Sequence, residues 1–198
     1  MKQAWWVGVA VLCLATVLVL AGGVVAGAAA QDWRARMRAE DGARLERWAS
    51  DVQQIYVGLQ PGDFVGISPL TVRQMLDRPP TALDQRALAG EWRCRSVQFS
   101  PQGTFGYPPF QCRIRQTPSG LFFEKTSGSQ RQSGLLYPDD AEHLVLLGAT
   151  SVNQEPQRSY RGDGNENDVV GRLYQTGRNR LMLIYTGSHG PQLYELTR

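Results

Sequence analysis

GLFFEKTSGSQRQSGLLYP, residues 120–138, decides the fold. Two runs of apolar and aromatic residues, 121–126 and 130–137, flank Ser127-Gly128-Ser129, and small polar residues of this kind make turns. The stretch is expected to be a β-hairpin. Outward from it, six further segments have the same character: 91–99, 110–116, 143–147, 169–175, 180–186 and 192–197. Turn residues at 118–120, 138–140, 176–179 and 187–191 separate them. Connections this short force antiparallel neighbours, because a parallel return needs a crossover of roughly a dozen residues or more. The expected architecture is α+β: N-terminal helices followed by an antiparallel up-and-down meander of about eight strands, either strongly curled or closed as a small barrel, closure being the way to remove exposed edges.

Upstream of residue 90 the pattern is helical. Trp33, Met37, Leu45, Trp48, Val52, Ile55 and Leu59 fall at spacings that give one apolar seam over 32–59, with Gly42 a weak point. Ser68-Pro69 is expected to cap a second, short helix through Val72, Met75 and Leu76, stopped by Pro79-Pro80. A last short helix across Leu83 and Leu88 is expected to follow, capped by Thr81 or Asp84. The organisation is therefore a leader over 1–30, a helical segment over 31–89 and the meander over 90–198, the last two in one compact domain.

The run 4–30 has no charged residue, follows Met1-Lys2-Gln3 and ends in Ala28-Ala29-Ala30. A positive start, an apolar stretch of about 7 to 15 residues and a small-residue exit describe a cleaved signal peptide. About 20 apolar residues also suffice for a membrane-spanning anchor. Both readings keep Lys2 on the cytoplasmic side and put the rest of the chain in the periplasm, free or anchored in the inner membrane and facing it. Cys13 lies within the apolar run as a small filler. Of the 21 basic and 18 acidic residues, giving a net charge of +3, the leader carries only Lys2. Such a balance lacks the basic excess of a nucleic-acid footprint.

Cys94 and Cys112 sit in similar settings, Trp92-Arg93-Cys94-Arg95 and Gln111-Cys112-Arg113-Ile114-Arg115. Period-two alternation turns both sulfurs inward and the arginines outward. In an oxidising compartment pairing is the default, and a bridge between opposed residues of neighbouring antiparallel strands is expected, stabilising the fold by about 3 kcal/mol.

Gly90-Glu91-Trp92 opening the first strand, with Arg198 closing the last, is similar to the lipocalin and calycin pattern of a G-x-W and a late arginine over the tryptophan, although lipocalins carry their helix after the barrel. GEWRCR (90–95), FQCRIR (110–115) and GLFFEKTSGSQRQSGLLYP (120–138) resemble the exported proteobacterial proteins grouped as domain of unknown function 4893, from about Trp33 to the C-terminus. That resemblance implies an exported envelope protein with this helix-then-strand layout and no particular activity.

Two clusters are candidate binding sites. Glu124, Lys125 and Arg131, flanking the hairpin tip, are placed to hold an anionic head group at one rim of the meander, or simply to keep the strands soluble. Arg93, Arg95, Arg113 and Arg115 line one face of two strands. They either bind anionic lipid head groups or phosphate, or pair with Glu91, Glu124 and the acids of the first helix. Asp163-Gly164-Asn165-Glu166-Asn167-Asp168 starts like a calcium loop but has Asp168 where the sharp-turn glycine belongs, so a solvated loop is expected. His143 and His189 have no companions at metal or triad spacing. Trp92, Ile114, Phe122 or Phe123, Leu146, Leu173, Leu183 and Leu193 are expected to fill the interior. No cofactor or metal is expected. The functional expectation is a non-catalytic binding module for a small apolar or lipid-like molecule; the alternative is an interaction protein docking an envelope partner at the membrane surface.

Overall fold

A computed structural model describes residues 32–198; the leader, with its alternative readings as signal or anchor, lies outside them. Among the described residues no helix is long and apolar enough to cross a membrane. Helix α1 (Ala39–Gly58) buries Leu45, Trp48 and Val52, three or four residues apart on one stripe. It begins seven residues later than the apolar spacing implies, because Arg38 is extended and its N–H is held by the Tyr160 hydroxyl. Trp33 is nevertheless buried, in the turn that precedes the helix. Gly42 does not interrupt α1. After the two-residue strand β1 (Phe64–Val65), α2 (Pro69–Leu76) starts as expected, with the Ser68 hydroxyl accepting from the Thr71 N–H. The third expected helix is only a 3-10 turn over Gln85–Ala87, capped by Asp84. Leu88 leaves this turn for the barrel base, where its carbonyl accepts from Trp92 Nε1 at 2.9 Å.

All eight expected strands form: β2 (Gly90–Ser100), β4 (Phe110–Thr117), β5 (Gly120–Lys125), β6 (Gln130–Pro138), β7 (His143–Val152), β8 (Asp168–Gly177), β9 (Arg180–Gly187) and β10 (Gly190–Thr197), with the unforeseen β3 (Gly103–Gly106) after the first. Each pairs antiparallel with the next, β10 returns to β2, and β2 also pairs with β4 from Gly90 to Cys94. The eight therefore close a barrel. From Val97 to Ser100 the same side of β2 is taken by β3, to which β1 adds in parallel.

Alternation divides the apolar residues between two faces. Trp92, Ile114, Phe123, Leu146, Leu173 and Leu183 fill the interior, which settles the choice between Phe122 and Phe123. Leu193 departs from expectation: it points outward and packs with Val97, Phe99 and Met182 beneath Trp48 and Val52 of α1. Trp48 also donates its Nε1 hydrogen to the Tyr185 and Gln192 carbonyls. A second outer cluster joins Trp33 and Leu45 to Tyr137, Val145, Leu147 and Val170. The chain between β7 and β8 forms a strap, residues 153–167, laid over the outside of β6 and β7. Ser133 and Ser151 hydroxyls donate to its Arg158 and Pro156 carbonyls, and Asp168 accepts from the Arg161 and Gly162 N–H groups.

Candidate functional site

Glu124 and Lys125 are consecutive on β5, so the pleat sends them to opposite faces. Glu124 points outward but is only 4% exposed, covered by the strap. Its carboxylate accepts from Arg113 Nε at 2.8 Å, Arg115 Nε at 3.2 Å and Gln157 Nε2 at 2.6 Å. Burial alone would push this carboxyl up; the Gln157 amide and the two guanidinium groups outweigh it and hold the group below its ordinary value. The same contact raises the Arg113 guanidinium, chiefly through its hydrogen bond to Glu124. Arg131 is on the outer face too, donating to the Glu155 carbonyl. Glu124, Lys125 and Arg131 therefore do not converge on one rim.

The four strand arginines divide in the same way. Arg113 and Arg115 share the Glu124 carboxylate, with Glu91 3.9 Å from Arg113. Arg93 is exposed and Arg95 half-buried. Arg95 stands opposite Glu195 in the β2–β10 register, but Glu195 is held by Arg78 and Arg180. Among the described residues these four arginines do not form a continuous cationic face. Cys94 and Cys112 are joined, both inward and buried, though not as opposed residues: Cys94 faces Phe110 and Cys112 faces Trp92 in the register, so the bridge runs diagonally, with Cα atoms 5.9 Å apart. Arg198 lies over Trp92, its Cζ 4.1 Å from the ring centroid, and donates to the Ala87 carbonyl. In the 163–168 loop Asp163 pairs with Arg161 at 2.8 Å and Asp168 accepts from backbone N–H groups, so these two acids are turned to the chain itself. His143 Nδ1 contacts Asp140 at 2.9 Å. Among the described residues no group of three or more His, Cys, Asp or Glu is placed to hold a metal.

Among the described residues, two recesses adjoin the side chains of the two predicted clusters. The larger, about 530 Å³, is an open groove on the outside of the barrel between the strap and the β4–β5 turn. Its apolar surface comes from Phe122, Leu135, Tyr137, Leu147 and Tyr160, with Arg36 and Arg161 exposed at the margin. Phe122, Leu135 and Leu147 are successive partners across β5, β6 and β7, which is why three outward apolar residues adjoin. Arg115 reaches this margin, its guanidinium 4.6 Å from the Phe122 ring centroid. Tyr160 is pinned by donating to Asp41 at 2.6 Å. Burial first, and the Asp41 hydrogen bond second, raise its phenol well above the ordinary range, so it stays a neutral donor. The smaller recess, about 180 Å³, lies at the barrel mouth and contains Lys125. None of the lining residues is read as a site from the sequence, where Phe122 enters only as an alternative to Phe123 for the interior. Phe122 and Leu135, apolar at outward positions of the hairpin, were the available signal.

The solved structure of a redesigned beta barrel aligns with 13% identity over 61% of this chain and 98% of its own length, at a TM-score of 0.39. No curated protein matches the chain. A family model matches residues 33–188, nearly all of the described chain. The chain thus belongs to the family described as Domain of unknown function (DUF4893).

Proposed function

We propose that this is an exported cell-envelope protein whose outer groove binds a small lipid-like molecule with an anionic group. The reading rests on one observation: an apolar floor of Phe122, Leu135, Tyr137 and Leu147 bounded by Arg36 and Arg161, in a volume of about 530 Å³ that falls within the usual range of small-molecule sites. Among the described residues the barrel interior is packed with buried side chains. An apolar tail covers the floor and an anionic head meets the guanidinium groups. Export is the complementary part of the proposal, supported by the uncharged run and Ala28-x-Ala30 of the leader. Calorimetric titration with dodecyl phosphate tests the groove. Wild-type protein should bind saturably, and Arg36→Glu combined with Leu135→Asp should weaken binding by at least about tenfold, or about 1.4 kcal/mol. Affinity unchanged by that pair, or no saturable binding by the wild type, would refute the assignment.

A further inference from the structure

We propose that the barrel mouth is a second binding site, for a short-chain carboxylate, with Lys125 as its counter-ion. It is independent of the outer groove, since Lys125 faces the other side of β5. The site exists because the barrel wall parts: β2 is paired to β4 only as far as Cys94, after which β3 takes its place. The parting leaves a recess bounded by Ser96, Gln98, Phe110, Gln130 and Tyr194 around the amine. Lys125 is 4% exposed. Its Nζ donates to the Gln130 carbonyl at 2.6 Å and lies 3.9 Å from the Phe110 ring centroid.

An ammonium has three hydrogens to donate, and the charge that acts on this one, Arg131, has the same sign. Among the described residues no carboxylate pairs with it. A buried cation without a counter-ion is costly to the fold, and the empty space beside it has room for one. A single monovalent cation matches a monoanion. Gln98 donates one amide hydrogen to Gln130 Oε1 at 3.1 Å, which leaves further amide hydrogens of both side chains for carboxylate oxygens. Phe110 and Tyr194 supply apolar walls for an alkyl chain. A volume of about 180 Å³ equals the liquid share of roughly six waters, which limits the ligand to a few carbons.

The full chain has two lysines, Lys2 and Lys125, so isotope-labelled lysine reports on this site directly. Sodium acetate, propionate and butyrate should shift the Lys125 side-chain resonances saturably, while sodium chloride at equal ionic strength should leave them in place. Calorimetry on Gln98→Glu, which puts a carboxylate of the protein's own into the recess, should show at least about a tenfold loss of butyrate affinity with the melting temperature retained. Lys125→Met should show the same loss. An absent or non-saturable shift, an equal response to chloride, or inorganic phosphate binding as tightly as butyrate would overturn the proposal.

Discussion

Glu124 and Lys125 show how much one position of pleat decides. The inward turn of the cysteines was readable from alternation, whereas the phase along 120–125 was not, since Phe122 and Phe123 were equal candidates for the interior. What sequence did not disclose was that the outward Glu124 would be buried as deeply as the inward Lys125, because the strap that covers it has no periodic pattern and meets it 33 residues away, at Gln157. Lys125 has the larger energetic consequence. Burial, and then the like charge of Arg131, push its amine down from 10.5 to about 8. Below pH 8 the folded and unfolded chains both carry the proton, so the fold bears the whole burden of the buried charge. Between pH 8 and 10.5 the unfolded chain binds more proton, and stability therefore rises with pH. Lys125→Met removes this dependence. The unfolding free energy of wild type minus that of Lys125→Met should increase by about 2 kcal/mol from about pH 7.5 to about pH 10. The raised tyrosines Tyr160, Tyr174, Tyr185 and Tyr194 act in the opposite sense, destabilising as unfolded phenols ionise near pH 10 and above, but they are common to both proteins and cancel in the difference. A flat difference across this window would contradict the burial of the amine.

At the scale of elements, the strands were legible where apolar alternation was strong and bounded by Gly, Pro, Asn or Asp. β7 was legible only in its first half. Its continuation through Gly148, Ala149, Thr150 and Ser151 is buried on both faces, yet these small and polar residues carry no strand signal of their own. β3 is four residues long and formed by its place beside β2, a tertiary cause that no local pattern records. The glycines inside the wall have a geometric reason. Gly134 and Gly148 face one another across β6 and β7; a Cβ on Gly148 would lie 2.4 Å from the Ser133 carbonyl oxygen, and one on Gly134 would lie 2.3 Å from that of Leu147. The strands approach too closely there for any side chain, as at a barrel corner where glycine admits the bend. Gly148→Ala should cost about 1 to 3 kcal/mol, since backbone atoms cannot step aside. Gly58, at the end of α1, has nothing within 4 Å of a Cβ, so Gly58→Ala should be neutral or add about 0.4 to 1 kcal/mol by restricting the unfolded chain. Urea melts of the two variants give both signs, and equal effects would argue against close strand approach at the corner.

For the whole molecule the question is what keeps an eight-stranded wall shut along the seam that β3 interrupts. Six of the eight seams around the barrel run six to nine residue pairs, and the β5–β6 seam runs four. The β2–β4 seam has five, interrupted where β3 intervenes. The bridge between Cys94 and Cys112 crosses this seam at its open end, where Cys94 is the last residue of β2 to pair with β4. Sequence alone gave the pairing and the inward direction; the diagonal offset and the parting of the wall beyond it depend on strand register, which the β3 excursion sets. Cross-linking residues 18 apart in sequence removes loop entropy from the unfolded chain worth about 3 kcal/mol. If that is the whole effect, Cys94→Ala with Cys112→Ala lowers the urea midpoint in proportion while Lys125 keeps its environment. If the bridge also holds the mouth in shape, the double variant additionally shifts the Lys125 resonances of the folded protein toward those of an exposed amine. The structure favours the second outcome, because Cys112 and Lys125 are directly opposed across β4 and β5 and Cys94 is opposed to Phe110, the ring on which the amine rests. Lysine spectra of the folded double variant decide it: unchanged Lys125 signals would reduce the bridge to a constraint on the unfolded chain, and displaced signals would make it part of the mouth.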